Sequence, residues 1–221
     1  MRLTHTKDTH NSATDDAGSE KTNLAPKRER HGKPKPTHFK QRKLKTVLTW
    51  IIAIAAAFGL AIFTRTFIAE SFEIPSSSML QTLKVGDRLI GEKITYKFSD
   101  PKRGDIATFN DPENPSITLI KRVIGVPGDT IDIHDGAVYL NGERQYESYT
   151  NGQSTYPLQE YASFLKGPLS YPYTLKEGEY WMMGDNRSNS LDSRYFGPIA
   201  RKEMTSKAWF IFWPFNEDRV F

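Results

Sequence analysis

Ser76 and Ser78 stand two residues apart in the stretch Ile74-Pro75-Ser76-Ser77-Ser78-Met79-Leu80. Side chains two apart in an extended segment point the same way, and Pro75 stiffens the approach. One hydroxyl can therefore attack a carbonyl while the other donates to the oxyanion that forms. Serines also crowd ordinary turns, where they bond only nearby backbone, so the pair gains meaning only if the chain supplies a base. Histidine is the usual partner. Yet His5, His10, His31 and His38 all precede a long apolar run, and His134 sits beside an Asp135-Gly136 turn signal, where a solvated loop histidine is expected.

Lysine is the alternative base. To work near neutral pH its ordinary pKa of about 10.4 must fall by about 3 units, which is roughly 4 kcal/mol of selective destabilisation of the ammonium. Burial in an apolar site supplies a shift of that size. In Ile117-Thr118-Leu119-Ile120-Lys121-Arg122-Val123-Ile124-Gly125 the alternation of a strand places Ile117, Leu119, Lys121 and Val123 on one face, which apart from the lysine is apolar. Alternation alone leaves two readings open: a buried amine, or a stem lying on the sheet with its ammonium in water. Ser99-Asp100-Pro101-Lys102 has the S-x-x-K spacing of another hydrolase class, but its proline and polar neighbours make it an exposed turn. With no cysteine in the chain, disulfides, thiolate metal sites and thiol nucleophiles are excluded.

The elements that must position these groups follow from composition. Residues 1–45 are polar and almost free of large apolar side chains, which predicts a disordered tail. Residues 46–64, TVLTWIIAIAAAFGLAIFT, carry no charge, and a helix of that length spans roughly 28 Å, the thickness of a bilayer core. This predicts a single transmembrane helix rather than a soluble core helix or a cleaved secretory signal. Arg28, Arg30, Lys33, Lys35, Lys40, Arg42, Lys43 and Lys45 crowd its upstream flank, so the positive-inside rule places the tail in the cytoplasm and the rest of the chain outside.

From residue 65 the chain reads as short β-branched or aromatic runs bounded by Gly, Pro, Asn and Asp, at 87–91, 106–109, 118–126 and 208–212, with hairpin signals at Asp135-Gly136 and Asn141-Gly142. The predicted fold class is mostly β: an antiparallel, barrel-like or sandwich-like catalytic domain over 65–221 behind one N-terminal transmembrane helix. Residues 143–175, rich in tyrosine and irregular, read as a variable insertion. Up to Thr64 there are 12 Lys and Arg against 5 Asp and Glu, and beyond it 18 against 21. A mildly acidic folded portion has no electrostatic drive toward phosphate backbones, so no nucleic-acid partner is expected.

Four segments, in order, resemble the bacterial type I signal peptidases, membrane-bound serine endopeptidases with a Ser/Lys dyad. They are Ile74-Pro75-Ser76-Ser77-Ser78-Met79-Leu80-Gln81-Thr82-Leu83, Lys102-Arg103-Gly104-Asp105-Ile106 with Phe109, Ile120-Lys121-Arg122-Val123-Ile124-Gly125-Val126-Pro127-Gly128-Asp129, and Met183-Gly184-Asp185-Asn186-Arg187-Ser188-Asn189-Ser190-Leu191-Asp192-Ser193-Arg194-Tyr195-Phe196-Gly197. The resemblance implies Ser78 as nucleophile, Lys121 as general base and later acid, Ser76 with the Ser78 N–H as oxyanion hole, and Ser190 orienting the lysine. It further implies structural ion pairs Asp185–Arg122 and Asp192–Arg194. Two shallow apolar pockets would take small residues at the first and third positions before the cut, one from Ile74, Met79, Leu83 and Leu119, the other from Phe72, Ile74 and Ile120.

On that likeness the substrates are exported preproteins, the setting is the lipid bilayer, and neither metal nor other cofactor takes part. Gln81 stands where the family usually has proline and Ser188 where many members carry aspartate; neither position performs chemistry. A calcium loop in 184–194 is a poor rival, because the ligand alternation and central glycine of such loops are missing. The rival of a different class is an anchored β-domain that binds surface partners without catalysis.

Overall fold

A computed structural model describes residues 38–80, 82–215 and 221; of the tail expected to be disordered, residues 1–45, positions 1–37 lie outside them and 38–45 are instead helical. Helix α1 runs His38–Phe67, 30 residues, longer at both ends than the uncharged 46–64 run. The extension has a plain cause, since Gln41, Arg42, Lys43, Leu44 and Lys45 are all good helix formers and continue the backbone ladder. Residues 42–63 are exposed throughout, and among the described residues this is the one helix long and apolar enough to cross a membrane. A core helix of a soluble domain would bury one face.

Two compact units result, Met1–Val47 and Leu48–Phe221, and the sheets lie wholly in the second. Only Ile68 separates α1 from strand β1 (Ala69–Glu73). There follow β2 (Arg88–Glu92), a single helical turn α2 (Thr95–Phe98), β3 (Ile106–Asn110), β4 (Thr118–Gly125), β5 (Thr130–His134), β6 (Ala137–Leu140) and β7 (Glu143–Arg144). After a long irregular segment come β8 (Tyr173–Thr174), β9 (Glu179–Met183), the short helix α3 (Ser193–Phe196), β10 (Ile199–Ala200) and β11 (Met204–Trp213). One sheet has the order β1-β2-β11-β3-β4-β9-β10 and the other β7-β6-β5-β8. Each of their pairings is antiparallel.

The turn chemistry explains the small sheet. Asp135 and Gly136 both take positive φ between β5 and β6, as do Asn141 and Gly142 between β6 and β7, the geometry that two-residue hairpins require. Tyrosines 149, 171 and 173 of the 143–175 segment pack on a cluster shared by both sheets that includes Trp181 and Ile131, so aromatic burial adds to the short pairings of β7 and β8 in holding this segment. A second cluster gathers Phe109, Val123, Met182, Phe196 and Ile199. A third, of Ile74, Met79, Leu83, Leu89, Ile106, Ala208 and Ile211, lies under the connection from β1 to β2.

Candidate active site

Ser78 sits in that connection. The Ile74 N–H donates to the Asp87 carbonyl and the Gly86 N–H to the Ile74 carbonyl, each at 2.9 Å, closing residues 74–87 into a loop at the end of the β1–β2 ladder. Within it the Met79 carbonyl accepts from the N–H groups of Thr82 (2.8 Å) and Leu83 (2.6 Å), giving one helical turn. Met79 and Leu83 are fully buried. Each such burial is worth about 1.5–3 kcal/mol, so the turn carrying Ser78 is fastened from below rather than free to swing.

Lys121 approaches from β4, which lies between β3 and β9 with Ala107 opposite the lysine. Its Nζ stands 2.7 Å from Ser78 Oγ and donates to the Ile120 carbonyl at 3.1 Å. Lys121 is 4% exposed and Ser78 8%, so of the two readings that alternation allows, the buried amine is the one the fold adopts. Burial pushes its pKa down to about 8, while the carboxylates of Asp192, Asp185 and Asp111 work in the opposite direction and limit the fall. Ser76 Oγ lies 3.4 Å from Ser78 Oγ on the exposed side of the pair.

The loop after β9 holds Ser78 from the other side. The Asn186 N–H donates to the Ser78 carbonyl at 3.0 Å, Asn186 Nδ2 to the Ser77 carbonyl at 3.0 Å, and Asn189 Nδ2 to Ser77 Oγ at 2.8 Å. Gly184 is required at the contact, because a Cβ there would meet the Ser78 carbonyl oxygen at 2.5 Å and Ser190 Cβ at 2.7 Å. Asp185 takes two bonds from Arg122 (Nε 2.9 Å, Nη2 2.7 Å) and one from the Thr82 hydroxyl, linking this loop to β4 and to the Ser78 turn. Asp192 caps α3 by accepting from the Arg194 N–H at 3.1 Å, receives the Gly184 N–H at 3.1 Å, and pairs with the Arg194 guanidinium at 2.9 and 3.0 Å.

Two residues stand apart from the roles the resemblance implies. Ser190 Oγ is buried but has no hydrogen-bond partner among the described residues; the bonds Lys121 makes go to Ser78 and to its own strand's Ile120 carbonyl. Leu119 packs against the Phe109 cluster, whereas Ile74, Met79 and Leu83 share the cluster beneath Ser78 with Phe72 and Ile120. Leu119 nonetheless shares the face of β4 that carries Lys121. Asn186, Asn189 and Arg187 carry no sequence signal of their own, although all three lie in the Gly184–Arg194 run. Most of their side-chain bonds run to groups far away in the chain, the Ser77 carbonyl and hydroxyl, Glu147 and Thr155, which residue type alone does not disclose.

A serine hydroxyl polarised by a desolvated amine is the equipment of a serine peptidase. Residues 47–213 match the family described as signal peptidase, peptidase S26. The chain is 42% identical over 175 residues to a probable signal peptidase I-2 of Synechocystis, covering 77% of this chain and 72% of the relative. It is 41% identical over 173 residues to a signal peptidase I of Leptolyngbya laminosa, covering 75% and 79%. It is 37% identical over 180 residues to signal peptidase I T of Bacillus subtilis, covering 81% and 92%. The chain belongs to the signal peptidase family, and it is a serine peptidase that removes signal peptides from preproteins.

Proposed function

We propose that the chain is a single-pass membrane endopeptidase in which Ser78 and Lys121 carry out the cleavage by an acyl-enzyme route. Neutral Lys121 takes the Ser78 hydroxyl proton as Oγ attacks the scissile carbonyl. The oxyanion receives the Ser76 hydroxyl and the Ser78 N–H, a class of interaction worth about 3–4 kcal/mol per donor in the transition state. The Lys121 ammonium then gives its proton to the departing amine of the mature chain. In the second half, Lys121 deprotonates a water that attacks the acyl carbon, and Ser78 leaves with the returned proton. The observation that carries this reading is the 2.7 Å separation of Nζ and Oγ in a buried setting.

The apolar surroundings support a preference for small residues before the cut. Phe72 and Ile120 are half-buried and able to touch a substrate, while Ile74, Met79 and Leu83 behind them are packed to completion, so the recess beside Ser78 is shallow. β1, the edge strand of the larger sheet, leads directly into Ile74 and has a free side along which an extended substrate can add as a strand. We assign α1 as the anchor, with its Arg42, Lys43 and Lys45 end cytoplasmic and the sheets outside. The test uses detergent-solubilised full-length protein and a preprotein: cleavage is abolished in both Ser78→Ala and Lys121→Ala, and full turnover by either variant rejects the dyad.

A further inference from the structure

The 143–175 segment reaches the site through two residues. The Glu147 carboxylate takes both ends of the Arg187 guanidinium, Nη1 at 2.6 Å and Nη2 at 2.7 Å, with the two side chains 9% and 0% exposed. Arg187 also donates to Thr155 Oγ1 at 2.7 Å and, through Nε, to the Gly184 carbonyl at 3.0 Å. The Tyr149 hydroxyl donates to Glu147 Oε1 at 2.7 Å, while its ring lies under the Arg122 guanidinium at 4.1 Å. Arg122 follows Lys121 on β4 and is the partner of Asp185. Burial works against the Arg187 charge, but the Glu147 carboxylate outweighs it and the guanidinium's pKa ends above its ordinary value. Burial likewise pushes the Tyr149 phenol up, so it stays a donor. Glu147 and Tyr149 thus grip two arginines, one beside the lysine and one in the loop that bonds the Ser77 and Ser78 carbonyls.

We propose that Glu147 is a positioning residue for the peptidase reaction: by clamping Arg187, with Tyr149 as strut against Arg122, it fixes the 184–190 loop and thereby holds Ser78 against Lys121. The inference rests on the Ser78/Lys121 reading above. It makes the 143–175 segment part of the catalytic apparatus rather than a dispensable insertion. The bonds that this loop makes outside the four segments carrying the family likeness run to the 143–175 segment, to Glu147, Gln153 and Thr155.

The test is Glu147→Gln in the full-length enzyme, which keeps the shape and removes the charge. Expected is a fall in kcat of about 10- to 100-fold with KM within about threefold, as for a displaced catalytic group. The pH at which kcat rises also moves upward, because a loosened loop lets water reach the amine. A merely structural effect instead lowers kcat in proportion to the folded fraction measured by circular dichroism and leaves the pH onset in place; that result, or wild-type kcat, overturns the proposal. If Glu147→Gln does not fold, Tyr149→Phe decides, removing one hydroxyl: an upward onset supports the proposal and an unchanged one rejects it. Ser78→Ala and Lys121→Ala are run alongside. Activity in either sinks the dyad itself, whereas dead dyad variants beside an unaltered Glu147→Gln sink the clamp alone.

Discussion

Lys121 is held in a setting that opposes its own charge. With its pKa lowered from 10.5 to about 8, the folded protein binds fewer protons than the unfolded chain between those values. The sign follows from linkage: stability is highest above pH 10.5 on this account and is lost as pH falls from there through 8, by roughly 3 kcal/mol at neutral pH. Lys121→Met, which fills similar space without a charge, is therefore expected to melt at higher temperature than the native enzyme at pH 6. The gain should shrink to nothing by pH 10.5, and thermal unfolding across that range checks it. The lysine was legible in the chain because its strand alternates, although alternation is equally compatible with a buried and a solvated amine. What decided burial was the partner turn, in which Met79 and Leu83 sink into the core and carry Ser78 onto the amine.

The loop from Gly184 to Arg194 is the element through which the site is assembled. It bonds the Ser77 and Ser78 carbonyls, ties β4 through Asp185–Arg122, and caps α3 through Asp192. Gly184 is its tightest point. Gly184→Ala is expected to force the Ser78 carbonyl away and lower kcat about 100-fold while the protein remains folded, measured as turnover beside a circular-dichroism spectrum. Most strands could be read from β-branched runs and their Gly, Asn and Asp boundaries, and the Asp135-Gly136 and Asn141-Gly142 turns fell where the dipeptides put them. The Glu147–Arg187 pair could not. It joins residues 40 apart in two irregular segments, where no period exists to indicate which side chains will meet.

At the scale of the molecule, an apolar helix runs almost directly into the catalytic domain, with Ile68 the only residue between α1 and β1. The helix end is held as well as joined: Lys97 Nζ donates to the Phe67 carbonyl at 2.8 Å, where a cation also complements the helix dipole. An enzyme and a substrate that share one bilayer meet at raised local concentration, which favours turnover without tight contacts. The helix boundaries were less legible than its existence, since Arg and Lys extend a helix as readily as Leu does. On the proposed mechanism the chemistry turns on one proton, that of Ser78 Oγ, and one dry acceptor for it, Lys121 Nζ. The pH dependence of kcat/KM for preprotein cleavage by the full-length enzyme tests this most directly, because it reports the free enzyme's base. The predicted profile rises to a plateau with a midpoint at about pH 8; a midpoint near 10.5, the value of an ordinary solvated lysine, contradicts it.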